Sequence, residues 1–169
     1  MSPRGLWIRV VATTAVGAAL MVVVSPARPA HHVPVAVAPA AGAVVGALLF
    51  LGGARRVPRL PSARGSFPVL FAKQGLLGLW AANEEIVWRR VALGELLAVG
   101  AVAAVFVSSL GFALAHRRRR ALHLGTGAAF GGVYLGTGSL GASVAAHWLY
   151  NVFVSAHVER AHAPAGVPP

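Results

Sequence analysis

The sequence predicts an all-α protein, a polytopic integral membrane helical bundle of about six transmembrane helices. Three observations predict it. Of the 169 residues 57% are hydrophobic, and the mean hydropathy of +0.70 is above that of an ordinary soluble domain. Apolar runs of near-spanning length recur along the chain. Between them lie the arginines, as Arg55, Arg56, Arg59 and Arg64 and as the run Arg117 to Arg120. A formal charge of +11 would read as a nucleic-acid footprint in a soluble protein. Basic loops flanking apolar spans are instead what the positive-inside rule places on the cytoplasmic face. Membrane lipids, not nucleic acid, are the partner this charge implies. Cysteine is absent, which removes disulfides, thiol nucleophiles and thiolate-held zinc.

The elements follow in order. Residues 6–24 form an apolar run behind Arg4 and read as an uncleaved membrane helix, with a cleaved signal peptide as the rival, since no clean small-x-small site follows. Residues 33–53 are a second span, mild in hydropathy because many positions are Ala or Gly. Residues 54–66 carry four arginines and two prolines. They close an N-terminal unit, 1–66, made of a hairpin and a basic loop. Residues 67–80 read as an interfacial or re-entrant helix or as the start of a long span, and apolar helices follow at about 82–98, 101–116, 121–137 and 139–157. Turns are expected at Gly100, at Arg117–Arg120 and at 136–139. The core is therefore 67–157, with a disordered tail over 158–169. With the N-terminus inside, the loops at 54–66 and 117–120 and the tail all fall inside. That makes an integral protein, of a bacterial plasma membrane, with both termini cytoplasmic.

Against this background the stretch Asn83–Arg90, "NEEIVWRR", stands out. Only four acids exist, Glu84, Glu85, Glu95 and Glu159. An ionisable group at mid-membrane costs roughly 2.5–3.5 kcal/mol on insertion scales, so each one retained there is a functional candidate. Glu85 and Arg89 are four apart on one helix face and can neutralise each other. Glu84 is left without an obvious local partner. If 82–98 and 101–116 form a hairpin turning at Gly100, Glu84 and His116 each lie about 24 Å from the turn, at one depth. His147 and Asn151 share one face of the last helix, about 12 and 18 Å from its start. A carboxylate, two imidazoles and an amide can thus converge in the inner half of the membrane. That is a hydrolytic set: a desolvated carboxylate is a strong base on water, imidazoles hold the water, and an amide donates to an oxyanion. A glutamate with two histidines, here Glu84, His116 and His147, equally suits zinc. The sequence leaves the metal question open.

The same residues carry a resemblance. "EEIVWR" fits EExxxR at Glu84, Glu85 and Arg89; "FALAH" fits FxxxH at Phe112 and His116; "HWLYN" fits HxxxN at His147 and Asn151. The chain resembles the CPBP intramembrane proteases, also called the CAAX amino-terminal protease or Abi family, which include the type II CAAX prenyl endopeptidases. The resemblance covers about residues 67–157 and implies an intramembrane endopeptidase acting on a membrane-associated peptide or protein, prenylated substrates among them. It implies Glu84 as water activator, His116 as its partner, and His147 with Asn151 near the oxyanion. The family is often classed as metalloendopeptidase, with a metal-free glutamate mechanism as the rival view. Arg90 departs from the glycine that family members often have after the motif arginine. The alternative from another class is a non-catalytic membrane scaffold or bacteriocin-immunity protein of the same fold; a transporter fits less, since no inverted repeat is visible.

Other residues receive structural readings. Glu85 with Arg89 is a supporting ion pair, Phe112 is packing, and Glu95 is an interfacial carboxylate. His31, His32, His123, His157 and His162 are assigned no role. Trp7, Trp80, Trp88 and Trp148 read as headgroup-level anchors, with Trp148 as an alternative cavity wall.

Overall fold

Gly100 and Gly138 mark two of the breaks between helical runs in the second half of the chain, and residues 116–119 mark another. Gly100 adopts φ 107° and Gly138 φ 65°, left-handed conformations that a side chain disfavours. Gly138 closes its helix by donating its N–H to the Tyr134 carbonyl, the usual glycine C-cap. The computed structural model describes residues 3–30, 32–53 and 67–161. Among these the order is α1 (Pro3–Val23), α2 (Ala38–Gly53), α3 (Phe67–Glu85), a π-helical segment (Ile86–Leu93), α4 (Gly94–Leu96), a 3-10 turn (Leu97–Val99), α5 (Ala101–Ala115), α6 (Arg120–Thr137) and α7 (Leu140–Ala161), with no strand. The all-α expectation holds. The basic loop 54–66, His31 and His162 lie outside the described residues, as does the tail from residue 162.

Of the alternatives for residues 67–80, the start of a longer helix is the one found: helical structure runs on from Phe67 through the π-segment to Val99. Helix α2 begins at Ala38, not at 33. The last helix extends to Ala161, past the expected end at 157. The helices read as spans are present as helices. However, none among the described residues is long and apolar enough to cross a membrane. Two are short: α2 has 16 residues and α5 has 15, or about 24 and 22 Å against a hydrocarbon core of about 30 Å. The run through α3 is interrupted by Lys73, Glu84, Glu85, Arg89 and Arg90.

Helices α2 and α7 pack with almost no gap. A Cβ added at Gly42 would collide with the Ala142 carbonyl, and one at Gly46 with that of Ala146. Both numbers rise together, so the two helices run parallel with small residues every fourth position at the seam, the pattern that brings helix backbones close. This fixes one face of α7. Its other face turns Ser143 and His147 towards Glu85. A cluster of Leu93, Ala104 and Tyr134, flanked by Leu96, Leu97, Val105, Leu135 and Leu140, joins the π-segment to the starts of α5 and α7 and the end of α6.

Candidate active site

The π-segment begins directly after Glu84 and Glu85. Its wide turn is shown by the Gly94 N–H reaching back to the Arg89 carbonyl, five residues away. Such segments are rare and often mark functional sites. Here the consequence is directional: Trp88 meets Phe112, Arg89 meets Glu85, and Arg90 reaches α1.

Glu85 is fully buried and saturated. Arg89 Nε donates to Oε2 at 3.1 Å and the Ser143 hydroxyl makes a short contact to the same oxygen. His147 Nδ1 lies 2.9 Å from Oε1. Since a carboxylate only accepts, that nitrogen carries the proton. Ser143 also lies 3.1 Å from the Phe130 carbonyl and shares its single proton between the two acceptors. The expected Glu85–Arg89 pair therefore forms, and it does more than neutralise: it is the base on which His147 stands.

His116 is fixed in another way. Helix α5 ends at Ala115, one residue short of the expected 116, and His116 itself is extended at φ −98°, ψ 125°. Its backbone N–H bonds the Ala113 carbonyl, which leaves the Phe112 carbonyl to the His116 side chain, at 2.8 Å from Nδ1. A carbonyl only accepts, so this imidazole too carries its proton on Nδ1 while capping an orphan carbonyl of the helix end. Both rings thereby turn Nε2 to the same group, as an acceptor in the neutral imidazole. His147 Nε2 is 3.5 Å from Glu84 Oε2 and His116 Nε2 is 3.9 Å from Glu84 Oε1. Glu84 is 20% exposed, His116 28% and His147 5%. The convergence expected of Glu84, His116 and His147 is present.

Glu84 is not without a local partner, contrary to expectation. The Trp80 indole N–H donates to Oε1 at 2.7 Å, from one helical turn earlier on the same face. Trp80, read as a headgroup anchor, thus holds the site carboxylate. The spacing of four held this signal, which a carboxylate-centred reading passed over. Asn151 follows His147 by one turn and is half-buried, but it makes no hydrogen bond to Glu84, His116 or His147 in this arrangement. Phe112, read as packing, is buried at 1% exposure and touches more of the site than that reading implied. Its ring meets Trp88, His116, His123 and His147, and the Arg89 guanidinium lies 5.4 Å from its centroid.

Two further contributions were missed. His123, assigned no role, stacks on His116 with centroids 3.9 Å apart and planes 22° apart. Nothing in the spacing of α6 announces this. Helix α1, which carries no motif, docks on the motif helix. Asn83 donates to the Thr13 and Thr14 hydroxyls at 3.3 and 3.0 Å. Between α1 and α3 lies a cavity of about 270 Å³ lined by Ala12, Thr13, Val16, Trp80, Asn83, Glu84, Val87 and Trp88. Trp148 does not wall it; its indole bonds the Gln74 carbonyl instead.

Two imidazole Nε2 atoms and a carboxylate are donor types that zinc accepts, and ligating histidines commonly donate their other N–H as these two do. Yet among the described residues no three His, Asp or Glu side chains are gathered into a set that could hold a metal ion. Residues 67–153, just over half of the chain, match the family described as type II CAAX prenyl endopeptidase Rce1-like. No curated protein and no solved structure matches.

Proposed function

The chain belongs to the family of type II CAAX prenyl endopeptidases, Rce1-like, and on that premise we propose that it is a membrane-embedded endopeptidase in which Glu84 activates water. The observation that carries this reading is the pair of imidazoles whose Nδ1 atoms face acceptors and whose Nε2 atoms converge on Glu84. Glu85 is unsuited to the role because each of its oxygens is already held. Of the Glu84 oxygens, Oε1 accepts from Trp80, so Oε2 is the base. A water between Oε2 and Nε2 of His147 or His116 donates one hydrogen to each, which turns its lone pair outward. As that lone pair attacks the peptide carbonyl carbon, the proton moves to Glu84. The carbonyl electrons move to oxygen, where the Asn151 amide, once the substrate is in place, can donate. Collapse breaks the C–N bond, and Glu84 returns its proton to the departing amine.

Membrane embedding is part of the proposal. It is supported by the outward faces of α1 and α5, which expose Ile8, Val11, Val22, Val23, Val102, Phe106 and Leu114. Bare apolar patches of this kind mark surfaces covered by lipid or a partner. The helices' short apolar lengths would be met by local thinning of the bilayer. Prenylated substrates, the cytoplasmic position of the termini and a bacterial plasma membrane belong to the same proposal.

The test is cleavage of a peptide library by purified protein in lipid vesicles, with and without chelator, beside Glu84→Gln and Glu85→Gln. General-base loss costs about 10²–10⁴-fold in rate. Glu84→Gln should bind peptide and cut it that much more slowly, while Glu85→Gln keeps more activity. Wild-type turnover by Glu84→Gln overturns the assignment.

A further inference from the structure

Helix α1 lies outside the family-matched residues 67–153, yet it forms one wall of the cavity beside Glu84. It is held there at three levels. Gly17 allows the close approach, since a Cβ at that position would stand 3.1 Å from Asn83 Oδ1 and 3.5 Å from Ile86 Cδ1. Asn83 bonds Thr13 and Thr14. Arg90 Nη2 lies 3.4 Å from the carbonyls of Met21 and Val24, where α1 ends and its last carbonyls lack helical partners. Arg90, the departure from the family's usual glycine, thus serves as a clamp on α1.

We propose that α1 is the specificity wall of the site, and that the cavity takes one apolar side chain of the substrate peptide next to the bond presented to Glu84. This rests on the endopeptidase reading. The size fits: about 270 Å³ lies at the small end beside the roughly 300–1,000 Å³ of pockets for drug-sized ligands, which is room for one side chain. The chemistry also fits. Thr13 donates to its own helix and accepts from Asn83, and Trp80 donates to Glu84. Glu84 and Asn83 also line the cavity, and the rest of the wall that meets the occupant is Ala12, Val16, Val87 and the faces of Trp80 and Trp88. A polar side chain would lose its water there without replacement. Ala12 and Val16 stand one turn apart on one face of α1, so their bulk sets the width.

The experiment uses the full chain in lipid vesicles with peptides that differ only at the residue flanking the cleaved bond, Gly, Leu or Phe. Wild type should prefer Leu or Phe. Val16→Trp, and separately Ala12→Leu, should cut the Leu or Phe peptide about 10- to 200-fold less efficiently, the span of discrimination an apolar pocket can supply. The Gly peptide should be cut as before. Equal losses on all peptides, or no change in preference, overturn the proposal. A binding readout separates its failure from that of the enzymatic reading. The chain has no cysteine, so Val16→Cys is a unique thiol. Its reaction with a methanethiosulfonate reagent should be slowed by a Leu-flanked peptide carrying a reduced amide, but not by the Gly counterpart. Protection without cleavage of any peptide would uphold the pocket and overturn the protease; cleavage with no difference in protection would do the reverse.

Discussion

The triangle beneath Glu84 makes a quantitative demand on stability. Glu85 and Arg89 are both 0% exposed and meet at 3.1 Å. Removing one partner of such a pair costs about 3–5 kcal/mol, because the other charge is left buried and uncompensated. Against a total stability of about 5–15 kcal/mol either single change is severe. Arg89→Met and Glu85→Gln should each lower the unfolding midpoint by roughly 6–20 °C, taking about 2–4 °C per kcal/mol for a chain of this size. The double variant should behave quite differently. The glutamine introduced by Glu85→Gln can place its amide oxygen where Oε1 lies, accepting from His147, and its NH2 where Oε2 lies, donating to the Ser143 oxygen while that hydroxyl donates to the Phe130 carbonyl. A methionine at 89 would keep the contact with the Phe112 ring that the guanidinium makes at 5.4 Å. The terminal nitrogens of Arg89 are buried without hydrogen-bond partners, so their removal also relieves a cost. What remains is close to one lost hydrogen bond, about 0.5–1.5 kcal/mol. The two singles should therefore sum to several kcal/mol more than the double. Thermal unfolding of the four proteins in one detergent, followed by far-ultraviolet circular dichroism, measures the cycle. If the midpoint shifts of the singles simply add in the double variant, the two charges are independent, and the account of Glu85 as a neutralised platform for His147 is wrong.

Two other outcomes are expected. Gly42→Leu and Gly46→Leu should each abolish folded yield, because the added atoms meet the backbone of Ala142 or Ala146 rather than a movable side chain, whereas Gly52→Ala, with nothing within 4 Å of its Cβ position, should be tolerated; expression and gel filtration distinguish them. His123→Ala should lower kcat by removing the plate stacked on His116, with KM little changed, and His123→Phe should restore most of the rate if stacking is its role; equal rates for the two variants would refute it.

The legible part of this protein was its local spacing. Glu85 with Arg89 and His147 with Asn151 are both pairs four apart, which helix geometry alone places on one face; Ser143, one turn before His147 and bonded to Glu85, was passed over. The helices themselves followed from apolar runs punctuated by glycine. The depth argument for Glu84 and His116 succeeded although its premise did not hold: the hairpin arm contains a π-segment, a 3-10 turn and a non-helical His116, so 1.5 Å per residue was not the true rise throughout. Its tolerance was large enough, because side chains span several ångströms and only rough agreement in height was needed for a separation of 3.9 Å. The illegible part was long-range and aperiodic. Asn83 and its threonine partners are about seventy residues apart, and neither end carries a pattern that names the other. Arg90 looked like a flaw in the motif while viewed along α3 alone. Seen across to the carbonyls at the end of α1, it becomes a clamp that a glycine could not provide. A testable consequence separates these views. Arg90→Gly should leave Glu84, Trp80 and both histidines in place but loosen α1, so peptides with a flanking Leu or Phe should lose their advantage over the Gly peptide while the rate on the Gly peptide persists. If Arg90→Gly instead reduces cleavage of every peptide alike, Arg90 serves the motif helix itself, and α1 is held by Asn83 and Gly17 alone.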